Sequence, residues 1–266
     1  MNVQPKEGIE ENVMNEKQNL KRIMETYPQD SFVIPGSTPV VSFGDPSKAS
    51  VVTIGINPSS REFGNSSRLF KPGMKRLEDF ESLGITDPSQ ISIGNARIIM
   101  NGCFNYFDED RNPYMTWFKH LNNYVNSYFG ADFRKKTACH LDLVQWATDP
   151  VWSNIKDSSI RERLLSSDAG FLHEQVNTKV FKVVFLNGRQ VFEQATSTKV
   201  LEADIVRTIT YKTKGELERP IDFYKGQTAA GSPVLGWSRT FPGHYISVNA
   251  LVGVVEELHK FFRESI

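Results

Sequence analysis

Cysteine is scarce: Cys103 and Cys139 are the two in 266 residues, too few for a disulfide framework or a four-cysteine cluster. They read as buried, reduced thiols of an intracellular chain. An excess of either charge is lacking too, with Lys+Arg and Asp+Glu at 31 each. That balance argues against a uniformly basic nucleic-acid binder and leaves room for a local basic groove. No apolar run approaches the roughly 20 residues that cross a bilayer, and the polar residues 1–11 lack the apolar centre of a signal peptide. A cytoplasmic protein without a membrane partner is the expectation. Neither Gly-x-Gly-x-x-Gly nor a P-loop lysine motif occurs, which sets aside dinucleotide and nucleoside triphosphate readings. There is no internal repeat and no low-complexity tract. What remains is 39% hydrophobic and 23% charged, the composition of a globular domain. Residues 1–266 read as one domain, with 1–36 as a helical extension packed on the core.

The chain is organised around Val51-Val52-Thr53-Ile54-Gly55-Ile56-Asn57-Pro58-Ser59-Ser60. Its apolar, β-branched opening reads as a strand buried on both faces. Gly55 and Asn57-Pro58 break it: the residue before a proline is kept out of helical φ/ψ, and Pro58 donates no backbone hydrogen bond. The chain turns there, leaving the Asn57 amide at the carboxyl end of a central strand. In open α/β sheets that edge binds ligands. An Asx-type turn that merely closes the strand uses the same residues, and the tetrad alone does not choose between the two.

Residues 10–27 carry Val13, Leu20, Ile23 and Met24 at helical spacing and predict an amphipathic helix, ended by Pro28. Residues 40–43 predict a short edge strand. From 59 to 112 the pattern is irregular, with small residues, arginines and phenylalanines alternating. Such a mixture suits stacking on bases beside phosphates, and equally a surface loop anchored by Phe63 and Phe70. Helices are predicted over 73–83 and over 114–128, the second with Trp117, Phe118, Leu121 and Val125 as core packing. Further strands fall at 138–144, 180–186 and 233–241. Further helices cover 157–175, a stretch opening at Arg189, and 248–262 behind Ser247 as N-cap. Residues 201–210 and 221–227 form an antiparallel excursion. Strands alternating with helices predict a three-layer α/β/α fold around a mostly parallel four-stranded sheet.

In residues 138–144, alternation puts His140 and Asp142 on one face and Leu141 and Leu143 on the other. A carboxylate near the end of an apolar strand is costly unless paired or neutral. That marks Asp142 as a candidate site residue, with a helix cap or a buried ion pair as alternatives. His140 reads as a core histidine, and the pair is too little for a metal site. No metal or other cofactor is expected.

Two loops, 55–59 and 242–244, follow the first and last core strands at the same sheet edge. Gly55-Ile56-Asn57-Pro58, with His140-Leu141-Asp142-Leu143-Val144 and Phe241-Pro242-Gly243-His244-Tyr245, resembles the uracil-DNA glycosylase superfamily over residues 51–262. The branches it is most similar to carry Gly-x-Asn-Pro rather than Gly-Gln-Asp-Pro in the first motif. The resemblance implies that Asn57 orients the hydrolytic water and that Gly55 and Ile56 shape the pocket. It implies Phe70 as the stacking aromatic, with Phe63 in reserve, and His244 as the residue stabilising the departing base. The histidine here follows the proline, whereas the family has His-Pro-Ser. Asp142 falls where the family has the asparagine that reads the pyrimidine edge. Ser59 stands where the uracil-specific branch has a tyrosine blocking the pyrimidine 5-position, so a substituted base is admitted. An ionised carboxylate repels uracil O4, whereas a protonated one takes the cytosine amino hydrogen and gives to N3. Burial raises carboxyl pKa values far enough to allow this near neutrality.

The activity so implied is that of a monofunctional DNA glycosylase, a monomer that flips a cytosine-type or 5-substituted pyrimidine from DNA and leaves an abasic site. Repair, or defence against modified foreign DNA, would use it. Arg61, Arg68, Lys71 and Arg239, with Tyr245, are the candidate DNA contacts, and they also read as ordinary solvated charges. Two rival readings are an inactive binding member of the same fold and a hydrolase of free nucleosides.

Overall fold

The computed structural model describes residues 16–63, 76–108, 113–212, 217–240 and 248–265. Its strands follow the apolar runs. β1 (Val51–Gly55), β2 (Ala138–Asp142) and β3 (Val183–Asn187) are buried at every position, as strands covered on both faces must be. β4 (Glu202–Lys212), β5 (Glu218–Gln227) and β6 (Pro233–Trp237) complete a six-stranded sheet in the order β2-β1-β3-β6-β5-β4. The first four of these run parallel, and β5 and β4 are antiparallel. The expected four-stranded sheet is therefore a six-stranded mixed one. The antiparallel hairpin does not leave the sheet but extends it. Phe223 pairs with Trp237, and Phe223 and Tyr224 carry the two apolar faces outward into the hairpin.

The helices form in order: α1 over residues 16–23, α2 (Phe80–Leu83), α3 (Ile93–Phe104), α4 (Met115–Phe129), α5 (Ser158–Val176), α6 (Arg189–Ser197) and α7 (Val248–Ser265). Strand alternation divides the core between them. Val51, Phe185, Phe223 and Trp237 face the side of α3, α4 and α7, while Val52, Ile54, Leu186 and Val234 face α5 and α6. The result is an α/β arrangement with helices on both faces of the sheet. Among the described residues no helix is long and apolar enough to cross a membrane.

Local chemistry sets the helix starts. Asp79, Ser92 and Asp157 each accept a backbone N–H of the first turn, opening α2, α3 and α5. The Asp79 cap explains why α2 begins at Phe80, although the pattern suggested a helix from 73; residues 73–75 lie outside the described set. The segment 40–43 is not a strand. Phe43 alone bridges β2, exchanging both backbone hydrogen bonds with His140 at 2.8 and 2.9 Å. In α1, Ile23 is buried and Met24, past the helix end, is exposed. Arg22, also buried, forms an ion pair with Asp168 of α5 at 2.7 Å and donates from Nε to Gln145 Oε1 at 3.0 Å. Cys103 and Cys139 are both buried and free.

Candidate functional site

The register of the sheet places Gly55 opposite Asp142. Beyond that pair the two chains keep running side by side, Leu143 N–H donating to Gly55 O and Val144 N–H to Ile56 O. This continuation carries Asn57 against the segment after β2. Its Nδ2 donates to Trp146 O and to Thr148 Oγ1, both at 3.2 Å. A carbonyl can only accept, so the amide NH2 is fixed toward Trp146 and Oδ1 is left as the acceptor. Pro58 ends strand pairing directly after this point.

Gly55 makes room for a buried pair. A Cβ there would stand 2.4 Å from Asp142 Oδ1 and 2.7 Å from His140 Nε2. His140 Nε2 lies 3.4 Å from Asp142 Oδ1, both side chains being buried. At the other ring nitrogen, Thr53 Oγ1 approaches Nδ1 to 2.7 Å but Cys139 O only to 3.4 Å. The Thr53 hydroxyl therefore ties the imidazole to β1 from the side opposite Asp142. Trp117, Phe118 and Phe43 wall the imidazole with ring centroids 5.0, 5.5 and 5.8 Å away.

The opposite wall is made by the chain just past Pro58. Ser59 caps a single 3-10 turn, Ser60–Glu62, by accepting from Arg61 N. The turn buries Glu62, which accepts from the Tyr106 hydroxyl at 2.8 Å. Burial pushes the Glu62 carboxyl up to about 7, and the charge of Asp142 adds to this; the Tyr106 hydrogen bond and the Arg76 charge oppose it. Tyr106 in turn accepts from Tyr114 N at 2.8 Å, and Arg61 donates to Tyr114 Oη at 2.6 Å. The guanidinium groups of Arg61 and Arg76 lie 5.6 and 5.1 Å from the Tyr114 ring, within cation–π range.

Between the walls is a hollow of about 530 Å³, within the size range of small-molecule sites. It opens at the carboxyl ends of the parallel strands, with Gln190 after β3 and Thr240 after β6 completing its rim. Gly188, at φ 118°, brings Thr240 close: a Cβ there would meet its Oγ1 at 2.5 Å.

Of the residues singled out in the sequence, Gly55, Ile56, Asn57, Ser59, Arg61 and Asp142 line this one hollow. Phe63 does not; it is buried in the core beside α3 and α4. Arg239 sits with its guanidinium 5.0 Å from the Tyr211 ring on the β4 side, away from the lining. Phe70, Arg68, Lys71, His244 and Tyr245 lie outside the described residues.

Among the lining residues that sequence reasoning passed over are Glu62, Thr148 and Trp117; His140, read as a core histidine, is buried and lines the hollow as well. For Glu62 the available signal was its nearness in sequence to Asn57. Thr148 offered none. Trp117 sits on the same helical face as Phe118 and Leu121, so its pattern is that of packing. No family model matches this chain and no curated protein matches it.

Proposed function

We propose that the hollow is the nucleobase pocket of a DNA glycosylase that hydrolyses the N-glycosidic bond of a flipped pyrimidine. The observation that carries this reading is Asn57: its amide nitrogen is pinned by Trp146 and Thr148, and its Oδ1 is left as an acceptor in the same hollow as Asp142. An acceptor held in a fixed direction positions a water for in-line attack. In this reading the His140 ring carries its proton on Nε2 and presents a donor beside the Asp142 acceptor. A cytosine-type edge offers an amino donor beside the N3 acceptor, the complementary order. A uracil edge would set its O4 against the carboxylate. Ser59, small and half-buried, leaves space for a substituent at the pyrimidine 5-position. Arg61, held by Tyr114 at the mouth with Arg76 over the same ring, suits the phosphates of the strand from which the base is turned out.

The test is a panel of duplexes carrying uracil, mismatched thymine, cytosine and 5-substituted cytosines, scored for abasic sites with the whole chain. Cleavage of a cytosine-type or 5-substituted base is expected, reduced about 10²–10³-fold by Asn57→Ala, the size of effect seen when one positioned polar group is removed. Tight, salt-sensitive binding with no abasic sites would replace the reading by that of a binding protein. Cleavage of free nucleosides alone would replace it by a nucleoside hydrolase.

A further inference from the structure

We propose that Glu62 is a catalytic residue of this hollow, the group that takes a proton from the attacking water while Asn57 holds that water in place. The inference rests on the glycosylase reading above. Glu62 follows Asn57 closely in sequence, and the 3-10 turn Ser60–Glu62 folds it back onto the hollow that Asn57 and Asp142 line. It is 1% exposed, in a setting where a carboxylate is expensive and is kept for a reason. An amide can orient water but cannot accept its proton at any useful pH. A carboxyl can, and does so best when its pKa lies near the working pH; that of Glu62 is pushed up to about 7.

The charged and titratable groups around it come from every neighbouring element. Tyr106, after α3, spends its one proton on Glu62 Oε2. Arg76, before α2, contributes a positive charge and Asp142, from β2, a negative one. His140 stands beside Asp142, and Arg61 and Tyr114 close the mouth. The two carboxyls, Asp142 and Glu62, thus serve one hollow in different settings. Asp142 is paired with an imidazole, whereas Glu62 holds a phenol and feels the charge of Arg76. Carboxyls so differentiated divide into one that reads or stabilises and one that moves protons.

The reaction balances as a hydrolysis. The bond from C1′ to the base nitrogen breaks and its electron pair stays on the base. A lone pair of the water oxygen forms the new C1′–O bond. One water proton passes to the Glu62 carboxylate and is then released, as the departing base takes up a proton on the nitrogen that kept the electron pair. One water is consumed, and an N–H base and an abasic hemiacetal are formed.

The experiment measures abasic-site formation from pH 5 to pH 9 on the duplex panel, with the full chain as wild type, Glu62→Gln and Tyr106→Phe. The amide introduced by Glu62→Gln can still accept from Tyr106, so this variant should keep its fold, read by circular dichroism, and its DNA affinity. The wild-type rate should rise tenfold per pH unit to a break near 7 and then level. Glu62→Gln should lose the break and run about 10²–10⁴-fold slower, the usual worth of a general base. Tyr106→Phe removes a hydrogen bond that favours the ionised form, so its break should move to higher pH. A Glu62→Gln protein with the wild-type rate, or with a lower rate that keeps the wild-type break, would overturn the proposal while leaving the glycosylase reading intact. A wild-type protein that forms no abasic site on any duplex would overturn both.

Discussion

The hollow has two walls built in opposite ways. One is the end of the sheet: Gly55, Asn57, His140 and Asp142 stand where parallel pairing and its continuation past the strand ends put them. The other is a loop wall, in which Glu62 and Arg61 are held by side chains of Tyr106 and Tyr114, 44 and 53 residues further along the chain. Backbone register fixes the first wall, and the second depends on a few side-chain hydrogen bonds. A wall made by register should be broken by changes in packing and support. A wall made by side chains should be tuned by changes in charge.

The sheet wall has a support whose loss should show the largest effect. Arg22 of α1 pairs with Asp168, whose Oδ2 accepts from Gln145 N, while Gln145 Nε2 donates to Asp142 O. Arg22→Ala leaves Asp168 buried without its cation. A loss of about 3–5 kcal/mol is expected, the measured range for half-broken buried pairs, read from urea unfolding at pH 7. A loss under about 1 kcal/mol, the worth of an exposed pair, would mean that α1 is an ornament on the sheet wall rather than its brace.

On the loop wall the expected effect has the opposite sign and depends on pH. The Glu62 carboxyl is raised from 4.5 to about 7 in the folded protein. Between those values the folded chain holds a proton that the unfolded chain has lost, so stability falls as pH rises across that window and is level above it. Glu62→Gln removes this titration. Relative to wild type, the variant should be no more stable at pH 4 and about 3 kcal/mol more stable at pH 8, from the conversion of pKa shift to free energy. Guanidinium midpoints at the two pH values decide it, and an equal difference at both would show that Glu62 is not the titrating group.

A smaller change returns to the sheet wall. Gly55→Ala sets a methyl against Asp142 Oδ1 and His140 Nε2, and overpacking of this kind costs about 1–3 kcal/mol. On the glycosylase reading its greater consequence is catalytic: displacing the Asp142–His140 pair by an ångström should lower the rate by about 10²-fold. A variant with wild-type turnover would show that the pair is not held against the base.

The contrast between the walls also explains what could be read in advance. The parallel strands were legible because burial on both faces leaves uninterrupted runs such as Val51–Gly55 and Val183–Asn187. Asn57 and Asp142 were legible as polar residues breaking such runs. α3 was missed because Gly94, Asn95, Asn101 and Gly102 lower its local propensity; burial of Ala96, Ile99, Met100 and Cys103 at helical spacing overrides them. Glu62, among Ser60, Arg61 and Phe63, looks like one more solvated charge. Its burial is decided by Tyr106, and no local pattern reports a partner that far away.

The borders of the sheet carry one more consequence. On one side Phe43 occupies the outer face of β2 at His140. On the other, the ladder of β4 slips between Ile205 and Arg207, where Ile205 and Val206 stand exposed. A plug at one margin and a kink at the other discourage a neighbouring molecule from zipping on as a seventh strand. A strand added at either margin would have to displace Phe43 or follow the kink of β4.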